Sequence, residues 1–153
     1  MNLYRYQVSR RVRIAAPRQR VYTLATDPRL IPRYSREVRS LRLLDPPGRV
    51  RRARCRIRVA PGLSVPARYR YHYRPGVSYA GVQVRCPLVR SYFGFSFRDR
   101  RAGATEVLHI EGFRASVPLL APILGWLYFT LLNRGGLRAE LDLLRALAEG
   151  CPL

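Results

Sequence analysis

The feature that most constrains this chain is a period-two alternation of apolar and polar residues. Residues 50–60 and 65–74 show it most clearly, because arginine occupies nearly every second position between apolar neighbours. Successive side chains of a strand point to opposite faces, so this pattern indicates strands with one buried face. Pro61-Gly62 and Pro75-Gly76 are turn sequences that separate such segments. The chain therefore predicts antiparallel strands joined by tight turns.

The same pattern along the chain predicts seven strands. They are expected at residues 4–14, 37–44, 50–60, 65–74, 77–85, 89–99 and 105–114. Two short helices are expected after the first strand. Pro17 suits the first turn of one of them, and Asp27-Pro28 ends it and begins another that runs to about Tyr34.

A long C-terminal helix is predicted from about Leu119 to Glu149, since the apolar period changes there from two to helical spacing. Its first half is apolar nearly all round, and Gly135-Gly136 is expected to loosen its middle. In its second half the leucines are expected to face inward, with Glu140, Asp142 and Arg145 outside. These leucines are Leu137, Leu141, Leu144 and Leu147.

These elements predict one α+β domain over residues 1–153, in which a curved antiparallel sheet surrounds the long helix. The apolar face of this sheet is rich in large aromatic side chains, which need not fill the space inside it, so a ligand cavity is expected. Tyrosine could offer its hydroxyl to a polar head group while its ring contacts an apolar body, although ordinary packing would explain the same residues. The candidate ligand-binding residues are Tyr69, Tyr71, Tyr73, Phe93, Phe95, Phe97, Trp126 and Phe129.

The charge is strongly basic. All 29 basic residues other than histidine are arginine, and the formal net charge is +20. Coding bias toward arginine is one explanation. The other is a surface for a polyanion such as RNA or an anionic membrane, and no reader of DNA sequence is indicated. The candidate anion-binding residues are Arg52, Arg54, Arg56, Arg58, Arg68, Arg70 and Arg74.

Several motifs resemble the START-like (SRPBCC) superfamily, which includes Bet v 1-like and polyketide cyclase/dehydrase proteins. The opening I-x-A-P-x3-V-Y-x-L-x2-D-P lies at residues 14–28. Residues 86–88 (C-P-L), 94–97 (G-F-S-F) and 118–120 (P-L-L) resemble the coenzyme Q-binding branch. The resemblance implies a helix-grip fold whose cavity holds a lipid, isoprenoid quinone or polyketide-like molecule. The protein would then serve as a carrier or chaperone of that molecule. Some relatives in this branch associate with ribosomes, which makes an RNA-associating module a further alternative.

His109 and Glu111 depart from this pattern, because the family usually has apolar residues at their positions in the last strand. Either a bulge shifts the register and leaves both side chains in solvent, or both point into the cavity. In the second case the carboxylate could orient the imidazole, and His109 could act as general acid/base in a cyclase or dehydratase reaction.

Other classes of site are not predicted. Two histidines and three scattered cysteines (Cys55, Cys86 and Cys151) do not have metal-ligand spacing, so neither a metal nor another cofactor is expected. The odd cysteine count and the alternating N-terminus, which lacks the apolar run of a signal peptide, predict a cytoplasmic protein with reduced thiols. A peripheral position at a membrane would fit the arginine-rich surface.

Overall fold

The computed structural model describes residues 4–60, 62–84, 89–115, 122–123, 126 and 136–150. The strands are β1 (Tyr4–Ile14), β2 (Val38–Leu43), β3 (Val50–Ala60), β4 (Leu63–Arg74), β5 (Ser78–Gln83), β6 (Val89–Asp99) and β7 (Thr105–Ala115). The helices are α1 (Arg18–Thr26), α2 (Ile31–Tyr34) and α3 (Leu137–Glu149), and a short 3-10 turn spans Arg101–Gly103. The predicted strands and the first short helix agree with these bounds to within about two residues, and the second helix ends at Tyr34 as predicted but begins at Ile31, later than the predicted start at Asp27-Pro28.

The seven strands form one curved antiparallel sheet in the order β1-β7-β6-β5-β4-β3-β2. Strands β2 to β7 form a meander in which each strand pairs with its neighbour in sequence. The first strand pairs with the last, so that Tyr4 lies opposite Ala115 and Ile14 opposite Thr105. The α+β helix-grip fold predicted from the sequence is confirmed.

The alternation of residues produces an apolar concave face and a basic convex face. On β3, Ala53 and Cys55 are buried, whereas the intervening Arg52, Arg54 and Arg56 are exposed. Strand β7 is regular: its pairing with both neighbours continues without a register shift, which leaves no bulge between Thr105 and Ala115.

Helix α3 packs its leucines against the concave face. Leu137, Leu141 and Leu144 are buried, and the Glu149 carboxylate accepts a hydrogen bond of 2.8 Å from the backbone N–H of Ala15. This contact fixes the end of the helix beside the end of β1. The earlier part of the predicted long helix lies almost wholly outside the described residues.

The predicted outward position of Glu140 is wrong, because only 7% of this residue is exposed. Glu140 lies three residues after Leu137 and four before Leu144, and helical geometry puts residues at these spacings on one face. The polarity of Glu140 favours an outward side chain, but its position in the helical period places it on the inward face.

Among the described helices, none has the length and apolar character required to cross a membrane.

Candidate functional site

A cavity of about 310 Å³ lies between the concave face of the sheet and the helices. Strands β2 to β7 line it on one side. Ile31 and Tyr34 of α2 and Glu140 of α3 line it on the other. A volume of this size is at the lower end of the range for small-molecule sites, which are usually apolar with a few polar groups.

Aromatic rings form most of the wall. Tyr79 stacks on Phe95 with ring centroids 5.0 Å apart, and Phe93 meets the edge of Tyr71 at 5.3 Å. Phe93 lies directly over Gly81, where any Cβ would collide with the ring. Glycine at this position therefore allows the Phe93 ring to approach the backbone of β5.

Hydrogen bonds fix the tyrosine hydroxyl groups at two places in this wall. The Tyr34 hydroxyl lies 2.7 Å from the Ala25 carbonyl and 2.8 Å from the Tyr79 hydroxyl, which ties α1, α2 and β5 together. At the other end of the wall, the Tyr69 hydroxyl lies 2.8 Å from the hydroxyl of Ser91. These tyrosines are thus oriented by the protein before any ligand binds.

His109 is completely buried in the cavity wall. Its ring stacks on Phe95 with centroids 3.8 Å apart, and its Nε2 lies 3.4 Å from Glu111 Oε1. Neither ring nitrogen forms a hydrogen bond with a described residue. Burial lowers the pKa of His109 to about 3, so the imidazole is neutral at physiological pH.

Two carboxyl groups, those of Glu111 and Glu140, lie near this histidine. Burial raises the pKa of Glu140 to about 8, with a further contribution from Glu37, while a hydrogen bond from Ser35 acts in the opposite direction. Burial also raises the pKa of Glu111 well above its ordinary value, and the charges of Glu140 and Glu37 add to this effect. One ligand atom from each of His109, Glu111 and Glu140 lies within 4.8 Å of the others.

The exposed residues that line the cavity are Glu37, Arg58 and Val65, so these residues mark its opening among the described residues. A second depression adjoins the opening and shares Ser35, Val38 and Arg58 with it. Its remaining charged residues are Arg33, Arg36 and Arg39. The entrance to an apolar cavity is therefore bordered by positive charge.

The convex face carries rows of arginines across adjacent strands. Arg54 lies between Arg42 and Arg68, and Arg52 lies opposite Arg70. All are exposed. Arg52 forms an ion pair of 2.6 Å with Asp45 and is thus partly neutralised. Like charges opposite each other repel, so the rows do not stabilise the sheet.

The structure brings some of the predicted ligand-binding residues to the cavity and leaves others away from it. Tyr69, Tyr71, Phe93 and Phe95 line it, as do both His109 and Glu111. Tyr73 and Phe97 belong instead to the surrounding core, because the inner face extends beyond the cavity. Trp126 is 69% exposed, and Phe129 lies outside the described residues. Of the predicted anion-binding residues, Arg58 lies at the cavity opening, whereas Arg54, Arg56, Arg68, Arg70 and Arg74 are exposed on the convex face.

Sequence reasoning did not find Tyr34, Tyr79 or Glu140 as cavity residues. Tyr79 had a usable signal, because it alternates with its neighbours in a predicted strand. Tyr34 and Glu140 reach the cavity only through the packing of α2 and α3, which local pattern does not encode.

Comparison with known proteins identifies one matching family model and solved structures of similar fold. Residues 5–149 match a family model described as "Polyketide cyclase / dehydrase and lipid transport". No curated protein sequence matches the chain.

Among solved structures, the Zhui aromatase/cyclase from Streptomyces sp. R1128 has a TM-score of 0.79 at 18% identity, with 95% of this chain and 94% of that chain covered. A START superfamily protein from Mycobacterium smegmatis has a TM-score of 0.74 at 16% identity, covering 95% and 98% of the two chains. The protein TTHA0849 from Thermus thermophilus has a TM-score of 0.73 at 23% identity, covering 91% and 94%. At these identities the likeness shows the fold.

Proposed function

The chain belongs to the polyketide cyclase/dehydrase and lipid transport family, and from this premise we propose that it binds an apolar small molecule in the cavity between sheet and helices. The observation that carries the proposal is the aromatic wall of Tyr71, Tyr79, Phe93 and Phe95 around about 310 Å³ of space. A lipid, an isoprenoid quinone or a polyketide-like molecule has the apolar body that such a wall favours. The protein would then act as a carrier or chaperone.

The ligand class is identified by native mass spectrometry of the protein purified from its own source, followed by organic extraction. A stoichiometric apolar molecule is the expected result. Protein that carries no small molecule, and that also fails to bind the neutral apolar probe N-phenyl-1-naphthylamine, would overturn the proposal.

We expect Phe95→Arg to reduce the affinity for N-phenyl-1-naphthylamine at least about tenfold, because it places a charge in an apolar wall. Probe fluorescence gives the dissociation constant, and circular dichroism shows whether the variant folds. Ala67→Phe is a second test that adds no charge, since Ala67 lines the cavity and a larger side chain would fill it. Val82→Ala, on the convex face of β5, is the control. Unchanged affinity in a folded Phe95→Arg or Ala67→Phe protein would contradict a cavity site.

A second candidate function is catalysis of the cyclase or dehydratase type. It is favoured by the position of His109 in the cavity wall, 3.4 Å from Glu111, where the imidazole could exchange a proton with a bound ketone or enol. The extracted molecule distinguishes the two functions. A carrier returns the molecule unchanged on incubation, whereas an enzyme converts it, and His109→Gln would stop conversion without preventing binding of the neutral probe.

The arginine rows support a docking role, in which the convex face binds an anionic membrane where apolar ligands reside. The rows around Arg54 and Arg68 lie on a face that has little acidic charge to offset them. Basic residues near an anionic bilayer contribute about 1 kcal/mol each. We therefore expect Arg54→Gln/Arg68→Gln to weaken binding to phosphatidylserine-containing vesicles roughly 30-fold.

The control is Arg11→Gln/Arg13→Gln, which removes the same charge from β1 at the other edge of the sheet. Cosedimentation with vesicles at several salt concentrations measures the effect. Equal losses in both double variants would mean that net charge alone drives the association. Tight, salt-dependent binding of RNA with no vesicle binding would replace the membrane proposal by an RNA-associating module.

A further inference from the structure

His109, Glu111 and Glu140 form a cluster of titratable side chains. Binding of an apolar molecule does not require such groups. His109 and Glu111 are two residues apart on the concave face of β7, and Glu140 reaches them from the first turn of α3. Their ligand atoms lie within 4.8 Å of one another. The cluster therefore joins two separate elements at one point in the wall.

The histidine is the independent observation that points to a bound species. It is completely buried, yet neither of its nitrogens has a hydrogen-bond partner among the described residues. A buried polar group left without a hydrogen-bond partner destabilises the fold, because it has lost water without gaining a replacement. A carboxylate oxygen of Glu111 lies 3.4 Å from Nε2, close to the separation of about 3.3 Å expected between two ligands of a tetrahedral Zn²⁺ ion.

Other carboxyl groups of this chain form ion pairs with arginine, which Glu111 and Glu140 do not do among the described residues. Asp27, Asp45, Asp99 and Glu106 each form an ion pair with an arginine. Within the part of the chain that the structure describes, neither Glu111 nor Glu140 forms an ion pair with any arginine, although the sequence contains 29. Among the described residues, two adjacent carboxyl groups and an imidazole thus lie in the cavity wall without an ion pair to an arginine.

We propose that His109, Glu111 and Glu140 bind one divalent transition-metal ion of the Zn²⁺ type, with its open coordination position facing the cavity. One imidazole and two carboxylates form a donor set suited to such an ion, and three protein ligands with one open position are typical of reactive zinc sites. Ser35 lines the cavity together with Glu140 and is the polar residue available to orient that carboxylate from outside the ligand set.

This proposal is independent of the identity of the apolar ligand, and it assigns His109 a role that excludes proton transfer. An imidazole whose Nε2 lone pair is bound to a metal has no proton to exchange at that atom. The metal would instead offer its open position to an oxygen of the molecule in the cavity. Metal binding and general acid/base action by His109 are therefore alternatives that experiment can separate.

The test uses the full chain, stripped with a chelator and titrated with Zn²⁺ by calorimetry and with Co²⁺ by visible absorption. We expect one ion per chain, and a Co²⁺ spectrum of tetrahedral nitrogen and oxygen ligation. Glu140→Gln and His109→Gln should each weaken binding by at least about 100-fold, since changes in outer contacts alone cost roughly 10–100-fold.

His72→Gln and Glu106→Gln are matched controls, because both side chains are on the sheet but outside the cavity. Neither should change the affinity. Circular dichroism and N-phenyl-1-naphthylamine binding show whether each variant keeps its fold and cavity, so that loss of metal is separated from loss of ligand binding. If a variant does not fold, the rise of the wild-type unfolding midpoint with added Zn²⁺ serves as the second readout.

Three results would overturn the proposal. One is the absence of Zn²⁺ and Co²⁺ binding by the wild-type chain. Another is binding that survives in folded Glu140→Gln and His109→Gln proteins. The last is a thiolate-to-Co²⁺ absorption band, which would place the ion on the cysteines.

Discussion

Replacing Phe97 by alanine is expected to lower the free energy of unfolding by about 3–5 kcal/mol. Phe97 is only 1% exposed. Its ring meets the edge of Tyr22 at 5.5 Å and stacks near Phe95 at 6.3 Å, so it connects helix α1 to the aromatic wall. Because Phe97 does not line the cavity, its removal would create a new void in the core. Denaturation in urea, followed by circular dichroism, measures the loss.

Phe93→Ala is the matched comparison, since Phe93 lies four residues earlier on the same face of β6. This side chain is half-buried and already borders the open cavity, so its loss should destabilise the fold less. It should reduce the affinity for N-phenyl-1-naphthylamine, whereas Phe97→Ala should leave the affinity of the folded fraction nearly unchanged. Equal losses of stability in the two variants would contradict the distinction between core and cavity wall.

The alternation of residues in β6 could not predict that Phe93 borders the cavity and Phe97 does not. Alternation correctly predicted that Phe93, Phe95 and Phe97 share the inner face of one strand, because that property is local to the backbone. Which of them faces open space depends on how far the helices extend across the sheet. Tyr22 of α1 covers Phe97, and nothing in β6 itself encodes that contact.

The bounds of the strands were also predictable, because they depend on local sequence. Residues 50–60 combine strict alternation with a following turn sequence, and β3 spans Val50–Ala60 as predicted. The pairing of β1 with β7 could not be derived in this way. Ile14 and Thr105 are far apart in sequence but directly opposite in the sheet, and the Thr105 hydroxyl donates to the Ala16 carbonyl at 2.7 Å.

The cluster around His109 was predictable from the sequence only in part, because one part depends on local spacing and the other on long-range packing. The spacing of His109 and Glu111 correctly indicated that they share a face, but the local sequence left the choice of face open. Opposite His109 in the sheet lies Phe95, and the regular register through that pair directs the imidazole inward. Glu140 completes the cluster from a helix more than 25 residues further along the chain, and its polar character led to the wrong side being predicted.

Gly112→Ala is expected to destabilise the protein by about 1–3 kcal/mol, because a methyl group at this position has no space. Gly112 is buried on β7, and a Cβ there would lie 2.5 Å from the backbone oxygen of Tyr6 and would also collide with the ring of Tyr92. A backbone atom of a paired strand cannot move aside without separating β1 from β7. Since Glu111 is the preceding residue, the same shift would displace its carboxylate in the cavity.

Gly94→Ala on the neighbouring strand β6 is the control, since a Cβ there meets nothing closer than the Ala80 side chain at 3.8 Å. Alanine restricts the unfolded chain more than glycine does, so this variant should be neutral or more stable by up to about 1 kcal/mol. Thermal and urea unfolding of both variants measure the difference in stability. If Gly112→Ala were as stable as Gly94→Ala, the close approach of β1 to β7 at Tyr6 would be wrong, and so would the register that directs His109 and Glu111 into the cavity.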